Sequence, residues 1–342
     1  MSSTPTVAII GGGQLARMMA QSAVALGVPL RLLAEAEGVS AAQVIADTLV
    51  GDYRDLETLR KVTDGCSVVT FDHEHVPTEH LHTLTDEGHA CRPGPEALVH
   101  AQDKAVMRER LTALDVPCPR HAVVEDADAV ERFAATVGGF PVVLKTTRGG
   151  YDGKGVWVVG SAAESAEAFE TAAASGVRIL AEEKVDFRRD LLRLDGELDV
   201  TGILAVELFE TRDGRVLVNE LAMRPHNTGH WSMDGAVTGQ FENHLRAVLD
   251  LPLGSPEARA PWTVMVNILG GDDERLAGDL YAGYPHVLAR DPRLKVHLYG
   301  KAVKPGRKVG HVTAYGDDLE EVRERALHAA AWFRGELGEE SA

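Results

Sequence analysis

The first hundred residues alternate short apolar runs with stretches of helical periodicity. Residues Thr6 to Ile10 have the pattern of a buried strand, Gln14 to Ala25 that of an amphipathic helix, and Leu30 to Ala34 that of a second strand. The run Val68 to Phe71 repeats the strand pattern. Strands that alternate with helices are typical of a parallel, doubly wound sheet. The pattern therefore predicts an α/β domain at the start of the chain.

The middle of the chain changes to paired β-rich runs. The runs VVLK and GVWVVG flank the glycine-rich segment TTRGGYDGKG. Further on, ILAVELFE and RVLVNEL are separated by a turn that contains Asp213 and Gly214. An Asp-Gly turn between alternating strands is a strong hairpin signal. We therefore predict two antiparallel hairpins here, the first with a glycine-rich tip.

Turn-forming residues divide the chain into three predicted domains. The segment CRPGPEAL, around Pro93 to Pro95, ends the first pattern, and a long amphipathic stretch from Ala101 to Leu114 follows it. After the segment LPLG, residues 251–254, come short strands (VMVNIL, KVHLYG, HVTAYG) and a final helix from Asp318 to Arg334. The predicted domains are residues 1–100, 101–255 and 256–342, with a fold that is α/β at first and α+β afterwards.

Charge and composition narrow the classes of partner and location. The 342 residues carry a formal net charge of -17. Such a field repels polyanions, so we expect no nucleic acid and no membrane partner, and an anionic substrate needs a local basic pocket. Cys66, Cys91 and Cys118 form no CxxC pair, which fits a reducing compartment. Without a signal-peptide pattern or an apolar run of membrane-spanning length, the sequence predicts a cytoplasmic protein.

The first candidate site is the loop from Gly11 to Ala16, which matches G-x-G-x-x-G/A directly after a strand. Its backbone amides could hold a phosphate, and Glu35 near the end of the next strand could meet a ribose. Three interpretations remain open. The loop could bind a dinucleotide, it could bind the phosphate of another nucleotide-like ligand, or its glycines could only permit close packing.

The second candidate site is the glycine-rich hairpin that follows Lys145. Four glycines lie within the eight residues from Arg148 to Gly155. Exposed amides of such a flap, with Lys145 as a fixed cation, can bind a triphosphate. A plain flexible hairpin is the alternative. The pattern G-x-x-x-x-G-K-[ST] does not occur, which argues against a P-loop enzyme.

The third candidate site is an acidic pair on the second predicted hairpin. Glu207 in AVELFE and Glu220 in VLVNEL can lie side by side on one face, and Asn219 can add a further oxygen. Two like charges are costly together unless a cation shares them, and Mg²⁺ is the oxygen-seeking cation that accompanies ATP. Surface glutamates on an edge strand are the alternative interpretation.

Two further polar clusters can bind anions. In MRPHNTGHW, Arg224 offers a planar fork for bicarbonate or a phosphoryl group, and His226 and Asn227 can orient it. The basic segment from Lys301 to Lys308 is bent by Pro305-Gly306, so that several cations can converge on a sugar phosphate. For both clusters, an ordinary loop or solvated surface is the alternative.

Taken together, the strings IIGGGQLARMM, TFDHEHVP, GGYDGKG, LAVELF, VNELAMRPHNTGHW and GKAVKPGRKVGH resemble the N5-carboxyaminoimidazole ribonucleotide synthase family of ATP-grasp enzymes. The resemblance implies three domains: a Rossmann-like pre-ATP-grasp domain, a central ATP-grasp domain and a small β-rich C-terminal domain. It also implies a homodimer.

The resemblance assigns roles residue by residue. Lys145 and Arg224 are the expected catalytic residues, and Glu207 and Glu220 the expected magnesium ligands. The expected ATP-binding residues are Lys145, Gly149, Gly150, Tyr151, Asp152, Gly153, Lys154, Gly155, the adenine hinge Glu182, Glu183, Lys184 and Val185, the ribose ligand Asp190, and Asn219 and Glu220. The expected substrate-binding residues are Gly13, Gln14, Leu15, Tyr151, Arg224, His226, Asn227, Lys301, Arg307 and Lys308.

The implied reaction uses ATP and Mg²⁺. Bicarbonate attacks the γ-phosphate to give carboxyphosphate, and the amine of 5-aminoimidazole ribonucleotide then takes the carboxyl group. Such catalysis depends on charge stabilisation and on exclusion of water by the glycine flap.

One interval departs from the family pattern. Between the hinge at Glu182 and the metal strand at Glu207, the family places several tens of additional residues, whereas here only Asp186 to Leu198 fills the gap. The fragment DLLRLDGELDVTG has the pattern of a helix remnant. We therefore predict a shortened central sheet with exposed strand edges. An internal deletion, or residues omitted from the sequence, would each explain it.

Three alternatives to the implied function remain. A nicotinamide-dependent dehydrogenase would use Gly11 to Ala16 but leaves the flap and the acid pair unexplained. An inactive nucleotide-binding remnant fits the short centre. Another ATP-grasp ribonucleotide ligase, for instance one that uses formate, is the nearest enzymatic alternative.

Overall fold

A computed structural model of the protein describes residues 4–149, 155–192, 198–271, 276 and 279–337, with the backbone alone for residues 187–192. The chain divides into two compact units. Unit 1 comprises Met1–His73, Glu87–Arg92 and Pro225–Ala342, and unit 2 comprises Glu74–Asp86 and Pro93–Arg224. Within the described ranges, no helix is both long enough and apolar enough to cross a membrane.

Unit 1 begins with the parallel sheet that the sequence predicts. Its elements are β1 (Val7–Ile10), α1 (Gln14–Leu26), β2 (Leu30–Ala34), β3 (Asp47–Val50), α2 (Leu56–Thr63) and β4 (Val68–Phe71). The strands lie in the order β3-β2-β1-β4 and all pair in parallel. Strand β1 is fully buried because neighbours cover both its edges and helices cover its faces.

Unit 2 contributes the helices α3 (Thr78–Asp86), α4 (Pro95–Gln102) and α5 (Lys104–Ala113). Most of the predicted amphipathic stretch from Ala101 to Leu114 is helical, and Asp103 separates α4 from α5 within it. The Asp103 carboxylate accepts the N–H groups of Ala105 and Val106 at 3.0 and 3.3 Å. A side-chain cap of this kind satisfies amides that have no partner inside the helix, so α5 begins anew there.

The first sheet of unit 2 contains the predicted glycine-tipped hairpin. Its elements are β5 (His121–Val124), α6 (Ala127–Thr136), β6 (Val142–Thr146), β7 (Val156–Val159), α7 (Ala166–Ser175) and β8 (Ile179–Glu183). The order is β5-β8-β6-β7, and every pair is antiparallel. The hairpin of β6 and β7 is confirmed, with Lys145 opposite Val156.

The second sheet of unit 2 contains β9 (Phe187–Leu192), β10 (Ala205–Thr211) and β11 (Val216–Ala222), in the order β11-β10-β9. The predicted hairpin of β10 and β11 is confirmed. The predicted helix remnant is wrong for its first residues, because 190–192 belong to β9, which pairs antiparallel with β10. Pairing with β10 satisfies backbone groups that would otherwise form an open edge.

Unit 1 resumes with α8 (Ser232–Gly235), α9 (Gln240–Val248), β12 (Trp262–Leu269), α10 (Tyr284–Arg290), β13 (Lys295–Leu298), β14 (Lys308–Gly316) and α11 (Leu319–Arg334). The antiparallel order is β12-β14-β13. The final helix is confirmed, with Asp318 as its cap. Helix α9 belongs to the core of the first sheet, because Phe241 and Leu245 cluster with Met18 and Met19 of α1.

Candidate functional site

Two carboxylates meet on the hairpin of β10 and β11. Glu207 and Glu220 stand directly opposite each other, beside a bulge between Glu207 and Leu208. Directly opposed residues project from the same face, so the structure brings the two predicted acids together. The Asn219 amide donates to Glu207 Oε2 at 3.3 Å. Like charges at directly opposed positions repel each other.

Lys145, the predicted triphosphate ligand, belongs to a buried ionic network. The Glu182 carboxylate accepts Arg108 Nε on one oxygen and Lys145 Nζ on the other, both at 2.6 Å. Burial disfavours the charged form of Glu182, but Arg108 and Lys145 outweigh it and lower the pKa of this carboxyl. Arg108 also donates to the carbonyls of Val218 and Asn219, which tie the network to β11. The network fixes Lys145 in place.

The predicted adenine hinge lies at the end of β8. The Glu182 carboxylate is already used by the network, and Glu183 accepts the N–H and the Nε of Arg120, each at 3.0 Å. Lys184 is exposed and Val185 half-buried. A base at this strand end would therefore meet backbone groups rather than the two carboxylates. Asp190 lies on β9 opposite Phe209, and its side chain is outside the described atoms.

Lys104 is a functional candidate that the sequence did not reveal. It lines a cavity of about 60 Å³ together with Glu220, Arg224 and Gly149, and its Nζ donates to the Gly149 carbonyl at 3.0 Å. Burial lowers the pKa of the Lys104 ammonium, although nearby Glu220 opposes this. In the sequence Lys104 is only one more charged residue on an amphipathic helix, so no local pattern marks it.

Arg224 is held by a second unpredicted residue, Glu74. The Arg224 Nε lies 2.8 Å from Glu74 Oε1, and both side chains are largely buried. Glu74 belongs to the string TFDHEHVP, which carried the family resemblance but no residue assignment. The contact is an ion pair, which keeps the Arg224 guanidinium beside the Glu74 carboxylate.

The base of the glycine flap is anchored to α5. The Lys104 N–H donates to the Thr147 carbonyl at 2.8 Å, and Asp103 Oδ2 accepts Arg148 Nε at 3.1 Å. Of the predicted flap residues that the structure describes, Gly149 is exposed and Gly155 is half-buried. The predicted residues Gly150, Tyr151, Asp152, Gly153 and Lys154 lie outside the described residues.

In unit 1, the predicted phosphate loop binds carboxylates of the protein itself. The Gly12 N–H donates to Glu35 Oε2, and the Gly13 and Ala16 N–H groups donate to Asp72. A Cβ on Gly13 would lie 2.1 Å from Asp72 Oδ2, so this glycine allows a close approach. In a dinucleotide site such amides face pyrophosphate. The arrangement therefore does not support the dehydrogenase interpretation.

The structure brings two of the predicted substrate residues of unit 1 together. Lys301 Nζ donates to Gln14 Oε1 at 2.6 Å, at the start of α1, beside the buried Leu15. Arg307 is exposed and donates to the Ala302 carbonyl at 3.3 Å, while Lys308 begins β14. His226 and Asn227 are half-buried. The His226 Nδ1 bonds Thr228 Oγ1 at 2.7 Å.

The fold and the site define an ATP-grasp enzyme. Its marks are a lysine on a glycine-tipped hairpin and a pair of carboxylates on a second antiparallel sheet. Family models agree with this class. Residues 4–102 match the ribonucleotide synthetase preATP-grasp domain, residues 109–195 and 189–241 match the ATP-grasp domain, and residues 263–325 match the phosphoribosylaminoimidazole carboxylase C-terminal domain.

Curated relatives and solved structures narrow the class to one family. An N5-carboxyaminoimidazole ribonucleotide synthase of Mycobacterium tuberculosis is 46% identical over 385 positions, which cover 96% of this chain and 88% of the relative. A crystal structure of the ADP complex of N5-carboxyaminoimidazole ribonucleotide synthetase has a TM-score of 0.83 at 30% identity, covering 98% of this chain and 100% of that chain. The Aspergillus clavatus synthase in complex with ADP and 5-aminoimidazole ribonucleotide has a TM-score of 0.83 at 27% identity, covering 97% and 99%. The chain belongs to the N5-carboxyaminoimidazole ribonucleotide synthase family of ATP-grasp ligases.

The comparison also supports the predicted shortening of the centre. The alignment to the M. tuberculosis relative has 385 positions, 43 more than the 342 residues of this chain, so at least 43 positions have no counterpart here. The ATP-grasp domain matches in two segments rather than one, and the two segments overlap at residues 189–195. These residues include part of β9.

Proposed function

We propose that this chain uses ATP to join bicarbonate to the amine of 5-aminoimidazole ribonucleotide, giving N5-carboxyaminoimidazole ribonucleotide, ADP and phosphate in purine synthesis. The observation that carries the proposal is the grouping of charged side chains in unit 2. Glu207 and Glu220 oppose each other across the hairpin, Lys104 lines a cavity with Glu220, and Lys145 forms an ion pair with Glu182. A triphosphate with its metal ion has the complementary charges.

Mg²⁺ fits the acid pair as an ATP-bound ion rather than as a metal held by protein alone. The described residues contain no group of three or more His, Cys, Asp or Glu side chains that could hold a metal ion. Mg²⁺ in phosphoryl-transfer sites is typically bound by one or two carboxylates together with substrate phosphates. Glu207 and Glu220 would hold it, and the ion would neutralise charge that develops on the phosphates.

The reaction consists of two displacements. A bicarbonate oxygen attacks the γ-phosphorus of ATP, forming a new O–P bond while the bond to ADP breaks, which gives carboxyphosphate. The amine nitrogen of the ribonucleotide then attacks the carboxyl carbon, phosphate leaves, and the nitrogen loses a proton. Arg224, oriented by Glu74, binds bicarbonate, and Lys145 and Lys104 stabilise charge on the phosphates.

The ribonucleotide phosphate binds at Lys301, because an anion needs a local cation in this acidic chain. Gln14, at the start of α1, anchors that lysine. Gly13 and Leu15 belong to the same turn, Arg307 and Lys308 follow Lys301 in the basic segment, and His226 and Asn227 contact the rest of the ligand. We further propose that the protein forms a homodimer, which light scattering tests. We also propose that it is cytoplasmic, which cell fractionation tests.

The decisive experiment measures phosphate release by the purified chain with ATP, Mg²⁺, bicarbonate and 5-aminoimidazole ribonucleotide, omitting one component at a time. The proposed function requires release that depends on all of them. Release with formate in place of bicarbonate would instead identify a different ribonucleotide ligase. ATP binding without turnover would identify an inactive remnant, the alternative that the shortened centre favours, and NADH binding would favour a dehydrogenase.

A further inference from the structure

The loop that carries His226 and Asn227 is held by one buried side chain, Gln240. Gln240 is the first residue of α9 and is 9% exposed. Its Oε1 accepts the His226 N–H at 3.0 Å, and its Nε2 donates to the His226 carbonyl at 2.8 Å. The amide therefore pairs with both backbone groups of His226, as a neighbouring strand would.

The same amide also fixes the far end of the loop. Gln240 Nε2 donates to His230 Nδ1 at 2.8 Å, and His230 is fully buried. A primary amide has two N–H donors, so Nε2 can serve the His226 carbonyl and the His230 ring at once. Because His230 Nδ1 accepts this bond, neutral His230 carries its proton on Nε2. The three bonds thus hold the loop between His226 and His230 at both ends.

The loop is packed closely against this side chain. A Cβ on Gly229 would lie 2.5 Å from Gln240 Oε1, so the glycine allows the backbone to approach the amide directly. The Gln240 N–H donates to Ser232 Oγ at 2.9 Å, and Ser232 Oγ donates to the Gly229 carbonyl at 2.6 Å. Helix α9 is in turn anchored in the core by Phe241 and Leu245. The loop is therefore attached to a rigid element.

The His230 ring continues this support toward the basic segment. Its centroid lies 5.2 Å from that of His311 and 6.4 Å from that of Tyr299, and the Tyr299 hydroxyl bonds His311 Nδ1 at 2.8 Å. Tyr299 stands two residues before Lys301, the cation that bonds Gln14. One buried polar cluster therefore connects the His226 loop to the segment after β13 that carries Lys301.

We infer that Gln240 is a positioning residue for ribonucleotide binding, which it supports by fixing the backbone of the His226–Asn227 loop. This inference rests on the proposed function, because it takes His226 and Asn227 to contact the ribonucleotide. Fixing the loop before binding removes an ordering cost from the binding step. Gln240 would act through the backbone of His226, which it bonds, rather than as a ligand of the ribonucleotide.

The test compares Gln240→Ala with Asn243→Ala. Asn243 lies one turn further along α9 and forms the same kind of clasp on a different segment, accepting the Gly254 N–H at 2.8 Å and donating to the Gly254 carbonyl at 3.4 Å. Gln240→Ala is expected to raise the KM and the Kd for the ribonucleotide at least about tenfold, because a buried backbone pair loses its partner. The KM for ATP should stay unchanged. Asn243→Ala should change neither constant.

Hydrogen exchange separates failure of the inference from failure of the proposed function. Amides 226–230 should exchange faster in Gln240→Ala and stay protected in Asn243→Ala, with or without turnover. Unchanged exchange and ribonucleotide affinity in Gln240→Ala would overturn the inference. A wild-type protein that neither binds nor turns over the ribonucleotide would overturn the proposed function, while the exchange result would still decide whether Gln240 holds the loop.

Gln240→Glu covers the case in which the alanine variant does not fold. The introduced carboxylate keeps the acceptor for the His226 N–H but places a second acceptor against the His226 carbonyl and His230 Nδ1. Protonation of that carboxylate or of His230 restores a donor, so the KM defect relative to wild type should shrink as the pH falls from about 8 to about 6. A defect that is independent of pH would contradict the assigned bonds.

Discussion

Glu207 and Glu220 oppose each other across two strands, an arrangement that works against the stability of the hairpin. Like charges directly opposite each other in a sheet are destabilising. A sequence selected for stability alone would pair one of them with a lysine. The arrangement is understandable when a cation is shared between them, as proposed for ATP-bound Mg²⁺.

Glu220→Gln is therefore expected to separate stability from activity. The free energy of unfolding without divalent cations should stay the same or rise by up to about 0.5 kcal/mol, because the repulsion is relieved. Mg²⁺-dependent phosphate release should fall at least about a hundredfold, because a charged ligand is lost. Urea denaturation and the phosphate assay measure the two quantities. Glu210→Gln, which changes a carboxylate on the neighbouring strand β10, is the control, and unchanged turnover in Glu220→Gln would remove Glu220 from the site.

Glu182 and Glu183 are sequence neighbours with different energetic roles. Glu182 is 2% exposed between two cations, whereas the Arg120 partner of Glu183 is 58% exposed. Removing one member of a buried network leaves the other charges uncompensated, which costs about 3–5 kcal/mol. A pair that reaches the surface contributes at most about 1 kcal/mol.

Glu182→Ala should accordingly destabilise the protein by about 3–5 kcal/mol, and Glu183→Ala by about 1 kcal/mol or less. Urea denaturation followed by circular dichroism provides both values. Equal losses in the two variants would mean that solvent screens the Glu182 network as well. The double replacement Arg108→Met with Glu182→Leu should cost less than the two single changes together, because fewer buried charges remain unpaired.

At the scale of elements, local patterns were sufficient for many of the strands, for α1 and for the final helix. The periodicity of the first hundred residues predicts β1, β2, β4 and α1 closely, and the Asp213-Gly214 turn predicts the hairpin of β10 and β11. These signals are local, because a helix or strand that is buried on one face repeats its apolar residues with the period of that element. The pairing of that hairpin also places Glu207 opposite Glu220.

Other features depend on contacts distant in sequence, which local patterns do not record. Residues 190–192 of β9 were assigned to a helix remnant, yet their pairing with the edge of β10 makes them a strand. The amides of the glycine loop were predicted to face phosphate, but Asp72, 59 residues away from Gly13, accepts them. Lys104 is identified only by its position near Glu220. Tertiary context outweighs local propensity in each case.

Asp103 joins two elements, which makes it more than a helix cap. One oxygen caps α5 and the other binds Arg148 at the base of the flap. Asp103→Ala should cost about 1–2 kcal/mol of stability for the cap. It should also raise the KM for ATP, because Arg148 and the flap base lose an anchor. Asp126→Ala, which removes the cap of α6 in the same unit, should lower stability without changing that KM.

At the scale of the whole molecule, the shortened centre leaves β9 as the strand that pairs with the second edge of β10. At least 43 aligned positions of the M. tuberculosis relative have no counterpart here, yet β10 is still paired on both edges, by β11 and β9. An open edge would present unpaired backbone groups to other chains. The chain thus keeps the strand that carries Glu207 paired on both sides after the loss of family residues.

Buried neutral histidines give unit 1 a predictable response to acid. His244 is fully buried and bonds Thr70 Oγ1 at 2.8 Å, and burial lowers its pKa to about 4. His311 is also buried, and burial, with His297 and His230 nearby, lowers its pKa well below the usual value. Both side chains bind a proton more readily in the unfolded chain, where a histidine has a pKa of about 6.5.

The stability that His244 contributes is therefore complete above pH of about 6.5 and is lost as the pH falls toward about 4. Between pH of about 7 and about 5, this single group should remove about 2 kcal/mol from the free energy of unfolding. In His244→Gln that part of the pH dependence should disappear, whereas His89→Gln, a change at a partly exposed position of the same unit, should retain it. Urea denaturation across this pH range measures the slope. An equal slope in wild type and His244→Gln would mean that the folded protein accepts a proton at His244 despite its burial, with the Thr70 hydroxyl as acceptor.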